Sequence, residues 1–119
     1  MATILLDNNA PKRLRTELPG HNVETAFERG WASLTNGDLI AAAEAAGFDV
    51  LVTADKNLEY QQNIATRRLA VVVLDDNRWS RVQQNVGRIS ESVDLTSAGR
   101  FIRVSFPSSP SRDSGGPKL

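Results

Sequence analysis

Three short apolar runs are each followed by acidic residues at the point where a strand would leave a sheet. The runs occupy residues 3–6, 50–54 and 69–74. The acids that follow them are Asp7, Asp55, and the adjacent pair Asp75 and Asp76. In an open α/β sheet the carboxyl ends of parallel strands line one crevice, and ligands bind there. Carboxylates gathered in that crevice repel one another, and a hard cation such as Mg²⁺ or Mn²⁺ relieves the repulsion. The natural substrate of a site that holds such a cation is a phosphate. The pattern therefore indicates a small metal-dependent phosphodiesterase or a descendant of one.

Each candidate metal ligand also has a purely structural interpretation. Asp7 would cap a helix or order a turn through its side chain, and Asp55 precedes a helix and belongs to the residue types that cap helices best. Asp38 ends the sequence Thr-Asn-Gly-Asp, a capping-box pattern that places an acid in the first turn of a helix. A helix end that pointed into the crevice would hold Asp38 toward a metal.

Charge is unevenly distributed although the chain is neutral overall. Residues 1–76 carry 11 acidic and 7 basic side chains, a net charge of −4, and residues 77–119 carry 7 basic and 3 acidic side chains, a net charge of +4. An acidic pocket beside a basic surface suits a nucleic-acid phosphodiester, which needs metal at the scissile phosphate and arginines along the backbone. A chance distribution is the alternative. The substrate-binding candidates are Asn9, Lys56, Asn57, Arg78 and Arg81.

Length and composition fit one globular domain. The 119 residues are 40% hydrophobic and 24% charged, which are ordinary values, and the chain has no cysteine. The lack of disulfides fits a reducing cytoplasm. No apolar run approaches the roughly 20 residues needed to span a bilayer, and the start lacks the features of a signal peptide. We therefore expect a cytoplasmic protein that does not enter a membrane.

The elements that would position these residues alternate between strands and helices. We predict strands over residues 3–7, 21–25, 49–54 and 69–74, and an edge strand over 100–105. We predict helices over about 10–18, 37–46, 57–64 and 79–93, with a short helix or loop over 26–35. This alternation indicates an α/β fold, a mostly parallel central sheet covered by helices on both faces. The domain would span residues 1–106, and the polar tail of residues 107–119 would be disordered.

Other residues carry weaker signals. Neither a nucleotide-binding glycine pattern nor a serine-hydrolase or zinc motif is present. His21, the single histidine, has no visible partner and is interpreted as a surface residue. The aromatic residues Phe27, Trp31, Phe48 and Trp79 are predicted to pack in the core.

Three segments together resemble a known family. They are Leu-Leu-Asp-x-Asn-x-Pro at residues 5–11, Asn-Gly-Asp-Leu-Ile at 36–40, and Val-Leu-Val-Thr-Ala-Asp-Lys-Asn-Leu at 50–58. Over roughly residues 3–90 the chain resembles the small PIN-like proteins grouped under a domain of unknown function, relatives of the toxin ribonucleases of bacterial toxin–antitoxin pairs.

The resemblance implies a PIN-like three-layer sandwich whose acidic site binds Mg²⁺ or Mn²⁺ and cuts single-stranded RNA. It implies that Asp7, Asp38 and Asp55 are the catalytic and metal-binding acids, to which we add Asp75 or Asp76 as a fourth. It also implies a small DNA-binding antitoxin as partner. The family often has glutamate where this chain has Asn8, so the charge of the site is reduced here.

We therefore expect a metal-dependent endoribonuclease, the toxin of a two-component system. The oligomeric state stays open, with a homodimer as one candidate. A second hypothesis is a degenerate, non-catalytic PIN-like domain that binds RNA or protein, which Asn8 favours. A third is a receiver-type signalling domain with Asp55 as phosphoacceptor. Such domains have two adjacent acids after the first strand, of which this chain supplies only Asp7, and a lysine directly after the fifth strand, which this chain lacks.

Overall fold

A single parallel sheet forms the centre of the molecule. The computed structural model describes residues 2–56 and 68–107. The strands are β1 (Thr3–Leu6), β2 (Asn22–Thr25), β3 (Val50–Thr53), β4 (Ala70–Leu74) and β5 (Phe101–Val104). Their order is β2-β1-β3-β4-β5, and every neighbouring pair is parallel. The predicted α/β class and the edge position of the last strand are confirmed.

Both faces of the sheet are buried, because side chains alternate between two separate hydrophobic cores. Ile4, Leu6 and Val72 belong to one core, and Leu5 and Val71 belong to the other. Strands β3 and β4 are buried along their whole length, which is typical of central strands covered on both sides. The fold is therefore compatible with a three-layer sandwich.

The helices divide between these two faces. Residues of α1 (Asn36–Ala45) pack into the second core, while α2 (Trp79–Gln84), α3 (Val86–Leu95) and a 3-10 helix (Lys12–Glu17) pack into the first. Helix α1 agrees with the predicted helix over 37–46. Gly47 follows it with a φ of +87°, a left-handed conformation that glycine adopts without strain.

Two predicted helices are wrong in detail. The helix over about 10–18 is a six-residue 3-10 helix, preceded by an extended Pro11 that makes no side-chain cap. The short span before Pro19 suits a 3-10 connector. The helix over 79–93 is two helices separated at Asn85, whose φ and ψ are −123° and 16°. The Asn85 side chain donates to the carbonyl oxygen of Arg81 at 2.8 Å, so it satisfies a helix-end acceptor where the first helix stops.

Two predictions about single residues are also wrong. His21 is only 9% exposed, and it accepts a hydrogen bond from the amide of Ala2 at 2.9 Å while Nε2 lies 2.6 Å from Asp94. Phe27, predicted in the core, is 68% exposed. By contrast, Phe48 is buried and makes an edge-on contact with the Trp31 ring.

The segment over 26–35 forms turns rather than a helix. The predicted helix over 57–64, including Asn57, and residues 108–119 of the predicted tail lie outside the described residues. None of the helices in the described parts of the chain has the length and apolar character needed to cross a membrane.

Candidate active site at the carboxyl edge of the sheet

The strand order defines one crevice. The chain adds β2 on one side of β1 and then returns to place β3 on the other side. Helices leave the sheet in opposite directions at such a reversal, and ligands bind outside the carboxyl ends of the two strands that flank it. In this chain those strands are β1 and β3, which are followed by Asp7 and Asp55. The structure thus brings these two predicted acids to the same crevice.

The hydroxyl of Thr53 connects the two acids. Thr53 is fully buried at the end of β3, and its Oγ1 lies 2.8 Å from Asp7 Oδ2. The same oxygen accepts a hydrogen bond from the amide of Asp55 at 3.1 Å. The second carboxylate oxygen of Asp7 accepts from the amide of Asn8 at 2.7 Å. Asp7 is therefore fixed in orientation while half-buried at the mouth of the crevice.

The Asn9 side chain joins the turn after β1 to the end of β3. Its Oδ1 accepts a hydrogen bond from the amide of Ala54 at 2.8 Å and lies 3.1 Å from Thr53 Oγ1. Since a hydroxyl has one proton, Thr53 donates to either Asp7 or Asn9 at a given moment. The predicted substrate-binding residue Asn9 thus lies inside the site and orders its floor.

Asp55 is held by the start of α1. The Nδ2 of Asn36, the first residue of that helix, donates to Asp55 Oδ2 at 2.7 Å. This contact explains why the Thr-Asn-Gly-Asp segment lies close to the segment around Asp55. The contact is made by Asn36, a residue that the sequence analysis did not select.

Asp38 lies two residues further along, in the first turn of α1, and is exposed. Its amide donates to Oγ1 of the cap residue Thr35 at 3.3 Å, so the capping arrangement is present. No hydrogen bond within residues 2–56 and 68–107 joins Asp38 to Asp7 or Asp55, and no group of three acidic, histidine or cysteine side chains in those ranges could hold a metal ion.

The residues present fit a particular kind of metal site. Mg²⁺ is commonly held by one or two carboxylates and completes its coordination with waters and substrate phosphates. Asp7 and Asp55 supply two carboxylates at one crevice, each oriented by a polar neighbour. This donor set suits a cation that binds together with a phosphate and does not amount to a closed protein cage.

The acids after β4 are engaged in other contacts. Asp75 lies 3.4 Å from the ammonium of Lys56 and accepts from the amide of Phe106 at 3.3 Å. Asp76 is bound by Arg78 through two guanidinium contacts at 2.6 and 2.9 Å and through the Arg78 amide. These hydrogen bonds from Arg78 lower the pKa of Asp76 to about 2. Asp76 is thus the ionised partner of a surface ion pair.

The predicted RNA-backbone cations differ in their availability. Arg78 forms an ion pair with Asp76, although the Arg78 side chain is 71% exposed. Arg81 donates to the carbonyl oxygen of Pro107 at 3.1 Å and lies over the Phe106 ring. Lys56 and its partner Asp75 are about half and two-fifths exposed, so their pairing is weak and leaves the Lys56 charge accessible.

A pocket of about 140 Å³ extends from Asp7 toward β2. Phe27 and Lys12 line it, with the Lys12 ammonium 5.7 Å from the centre of the Phe27 ring. A larger cavity of about 320 Å³, lined by Asp49, Arg68 and Asp94 among others, lies at the opposite, amino-terminal edge of the sheet. Of the two crevice acids, Asp7 lines the smaller pocket.

Sequence reasoning missed Thr53, Asn36, Lys12 and Phe27. Thr53 carried a usable signal, since it is a polar residue inside an otherwise apolar strand. Comparisons with family models, with curated proteins and with solved structures each found no match, so the resemblance to PIN-like proteins rests on the sequence segments alone.

Proposed function

We propose that the chain is a metal-dependent endoribonuclease that cuts single-stranded RNA. The observation that supports this proposal most is the position of Asp7 and Asp55 at the crevice between β1 and β3, where the Thr53 hydroxyl contacts the Asp7 carboxylate and accepts from the backbone amide of Asp55. The carboxyl edge of a parallel sheet at a reversal of strand order is where such folds bind ligands. Two fixed carboxylates select a hard cation, and the natural ligand of that cation is a phosphate.

Each residue of the site has a separate task in this proposal. Asp7 and Asp55 would hold Mg²⁺ or Mn²⁺, and when bound the cation supplies an activated water and neutralises charge on the phosphate. Thr53 orients Asp7, and Asn36 orients Asp55. The accessible charge of Lys56 would position the RNA backbone.

The cellular role follows from the family resemblance. We infer a cytoplasmic toxin of a two-component system, with a small DNA-binding antitoxin that covers the crevice. Finding a short neighbouring gene that encodes a helix-turn-helix protein would support this role. The absence of such a gene would count against the toxin–antitoxin role but not against the nuclease activity.

The cleavage test uses an unstructured RNA, followed on gels with Mn²⁺, Mg²⁺ or EDTA. Asp7→Asn and Asp55→Asn should each lose most of the activity, and the double variant should lose little more, because the two acids act as a unit. Glu91→Gln, an exposed acid on α3, is the matched control and should cleave like wild type. Activity that survives both EDTA and Asp7→Asn would contradict the proposal.

A non-catalytic domain is the second candidate, and a specific observation favours it. Only two acids meet in the crevice among the described residues, and Asn8 adds no charge. Calorimetry with Mn²⁺ separates the candidates. Metal binding without cleavage of any RNA, or no metal binding at millimolar concentration, would favour the degenerate form.

A further inference from the structure

Phe27 is an exposed aromatic ring in the pocket that Asp7 also lines. It follows β2 by two residues, and β2 neighbours β1 in the sheet. Adjacent strands lie about 4.8 Å apart, so Phe27 is displaced by about one strand from the residues that follow β1. Phe27 and Asp7 line the same 140 Å³ pocket, and the ring is 68% exposed. A large apolar side chain therefore faces solvent next to the predicted phosphate site.

Hydrogen bonds brace the loop that carries Phe27. Thr25 and Glu28 exchange hydrogen bonds on either side of it, from the Thr25 amide to Glu28 Oε1 at 3.0 Å and from the Glu28 amide to Thr25 Oγ1 at 3.1 Å. Arg15 donates to the same carboxylate at 2.7 Å. The Asn8 side chain donates to the carbonyl oxygen of Ala32 at 2.9 Å and ties the far end of the turn to β1. The loop is therefore fastened at Thr25, Glu28 and Ala32.

Lys12 supplies an uncommitted positive charge at the same place. Its ammonium lies over the Phe27 ring, and no carboxylate lies within ion-pair distance of it among the described parts of the chain. Neighbouring arginines are engaged, since Arg15 pairs with Glu28 and Arg29 pairs with Glu24. Lys12 is therefore available for an external anion.

An exposed aromatic face with a cation beside it is the arrangement that binds single-stranded nucleic acid. A base stacks on the ring, and the cation neutralises the phosphate. We propose that Phe27 and Lys12 form a nucleotide subsite in which the base next to the scissile phosphate stacks on Phe27 and its phosphate contacts Lys12. This subsite rests on the proposed function for its position relative to cleavage, but its RNA binding can be measured without metal.

The binding test uses fluorescence anisotropy in EDTA, where metal-dependent cleavage cannot consume the probe. The probes are a labelled oligouridylate and an abasic oligomer with the same ribose-phosphate backbone. Phe27→Ala should weaken binding of the oligouridylate about 5- to 150-fold and leave binding of the abasic oligomer unchanged. Phe27→Trp should keep the affinity. Lys12→Gln should weaken both probes and reduce the salt dependence by about one ion.

Leu95→Ala is the matched control, because Leu95 is another exposed hydrophobic residue, 75% exposed, on α3. Thermal melts of each variant check that folding is intact, which the exposure of Phe27 leads us to expect. The subsite is refuted if wild type binds neither probe, if Phe27→Ala weakens both probes equally, or if Leu95→Ala has the same effect. Base-dependent binding by wild type without cleavage in Mn²⁺ would overturn the nuclease proposal and leave the subsite standing.

Discussion

The buried hydroxyl of Thr53 gives the sharpest test of how the crevice is built. Thr53→Val removes the hydroxyl with little change in shape, and Thr53→Ser keeps the hydroxyl while removing a methyl group. In the native chain the hydroxyl lies 2.8 Å from Asp7 and accepts from the Asp55 amide at 3.1 Å. The pair of variants therefore separates hydrogen bonding from packing.

The magnitude follows from these contacts. A hydrogen bond to a charged group contributes about 1.5–3 kcal/mol, and valine also leaves the Asp55 amide without its acceptor. We expect Thr53→Val to lower the free energy of unfolding by about 2–3 kcal/mol. The serine variant should lose about 1 kcal/mol, the effect of one buried methyl group. Urea titrations of both variants at one pH measure the difference.

The same substitution should affect the metal site, because Thr53 orients a predicted ligand. Mutating a group that positions a metal ligand typically weakens metal binding by about 10- to 100-fold. Thr53→Val should therefore raise the Kd for Mn²⁺ by that factor. Serine should leave it near the wild-type value. If valine and serine variants are equally stable and bind Mn²⁺ equally well, the hydroxyl does not organise the crevice.

Three further predictions concern metal, pH and the carboxyl terminus. Mn²⁺ at 100 times its Kd should stabilise wild type by about 2.7 kcal/mol, and thermal melts of Asp7→Asn should not respond. Since Arg78 lowers the pKa of Asp76 from 3.8 to about 2, the ion pair stabilises the fold above the unfolded pKa and is lost as pH falls through this interval. In acid titrations, Arg78→Gln should lack this loss of stability. If the stability of Arg78→Gln falls with pH as that of wild type does, the ion pair between Asp76 and Arg78 does not stabilise the fold. Deleting residues 108–119 should leave the urea midpoint unchanged, whereas a lower midpoint would indicate that the tail packs.

The sheet could be predicted because its strands are encoded by local patterns. Short runs such as Val71–Val73 are apolar at every position, which central parallel strands require. The break in the last predicted helix depended on a side-chain hydrogen bond rather than on the apolar pattern. Asn85 interrupts the predicted helix over 79–93 by bonding back to Arg81, and no pattern of apolar spacing reports such a bond.

The candidate site was predicted only in part, for a related reason. Asp7 and Asp55 were selected because strand ends converge at one edge of a parallel sheet. Thr53 and Asn36 act through contacts across the fold, from β3 to β1 and from α1 to the segment after β3. The position of Phe27 depends on strand order, because β2 must lie beside β1 for the ring to line the same pocket as Asp7.

Position 8 connects the loss of charge at the site with the proposed nucleotide subsite. The PIN-like proteins that the chain resembles often have glutamate here, whereas the side-chain Nδ2 of Asn8 donates to the carbonyl oxygen of Ala32 and fastens the loop that carries Phe27. A glutamate at this position is ionised at neutral pH and cannot donate that hydrogen bond. Under the proposed function, Asn8 would therefore leave the site with less negative charge while fastening the loop that carries Phe27. If the proposed subsite stacks a base, part of the affinity for RNA should be independent of metal, and the measurements in EDTA isolate that part.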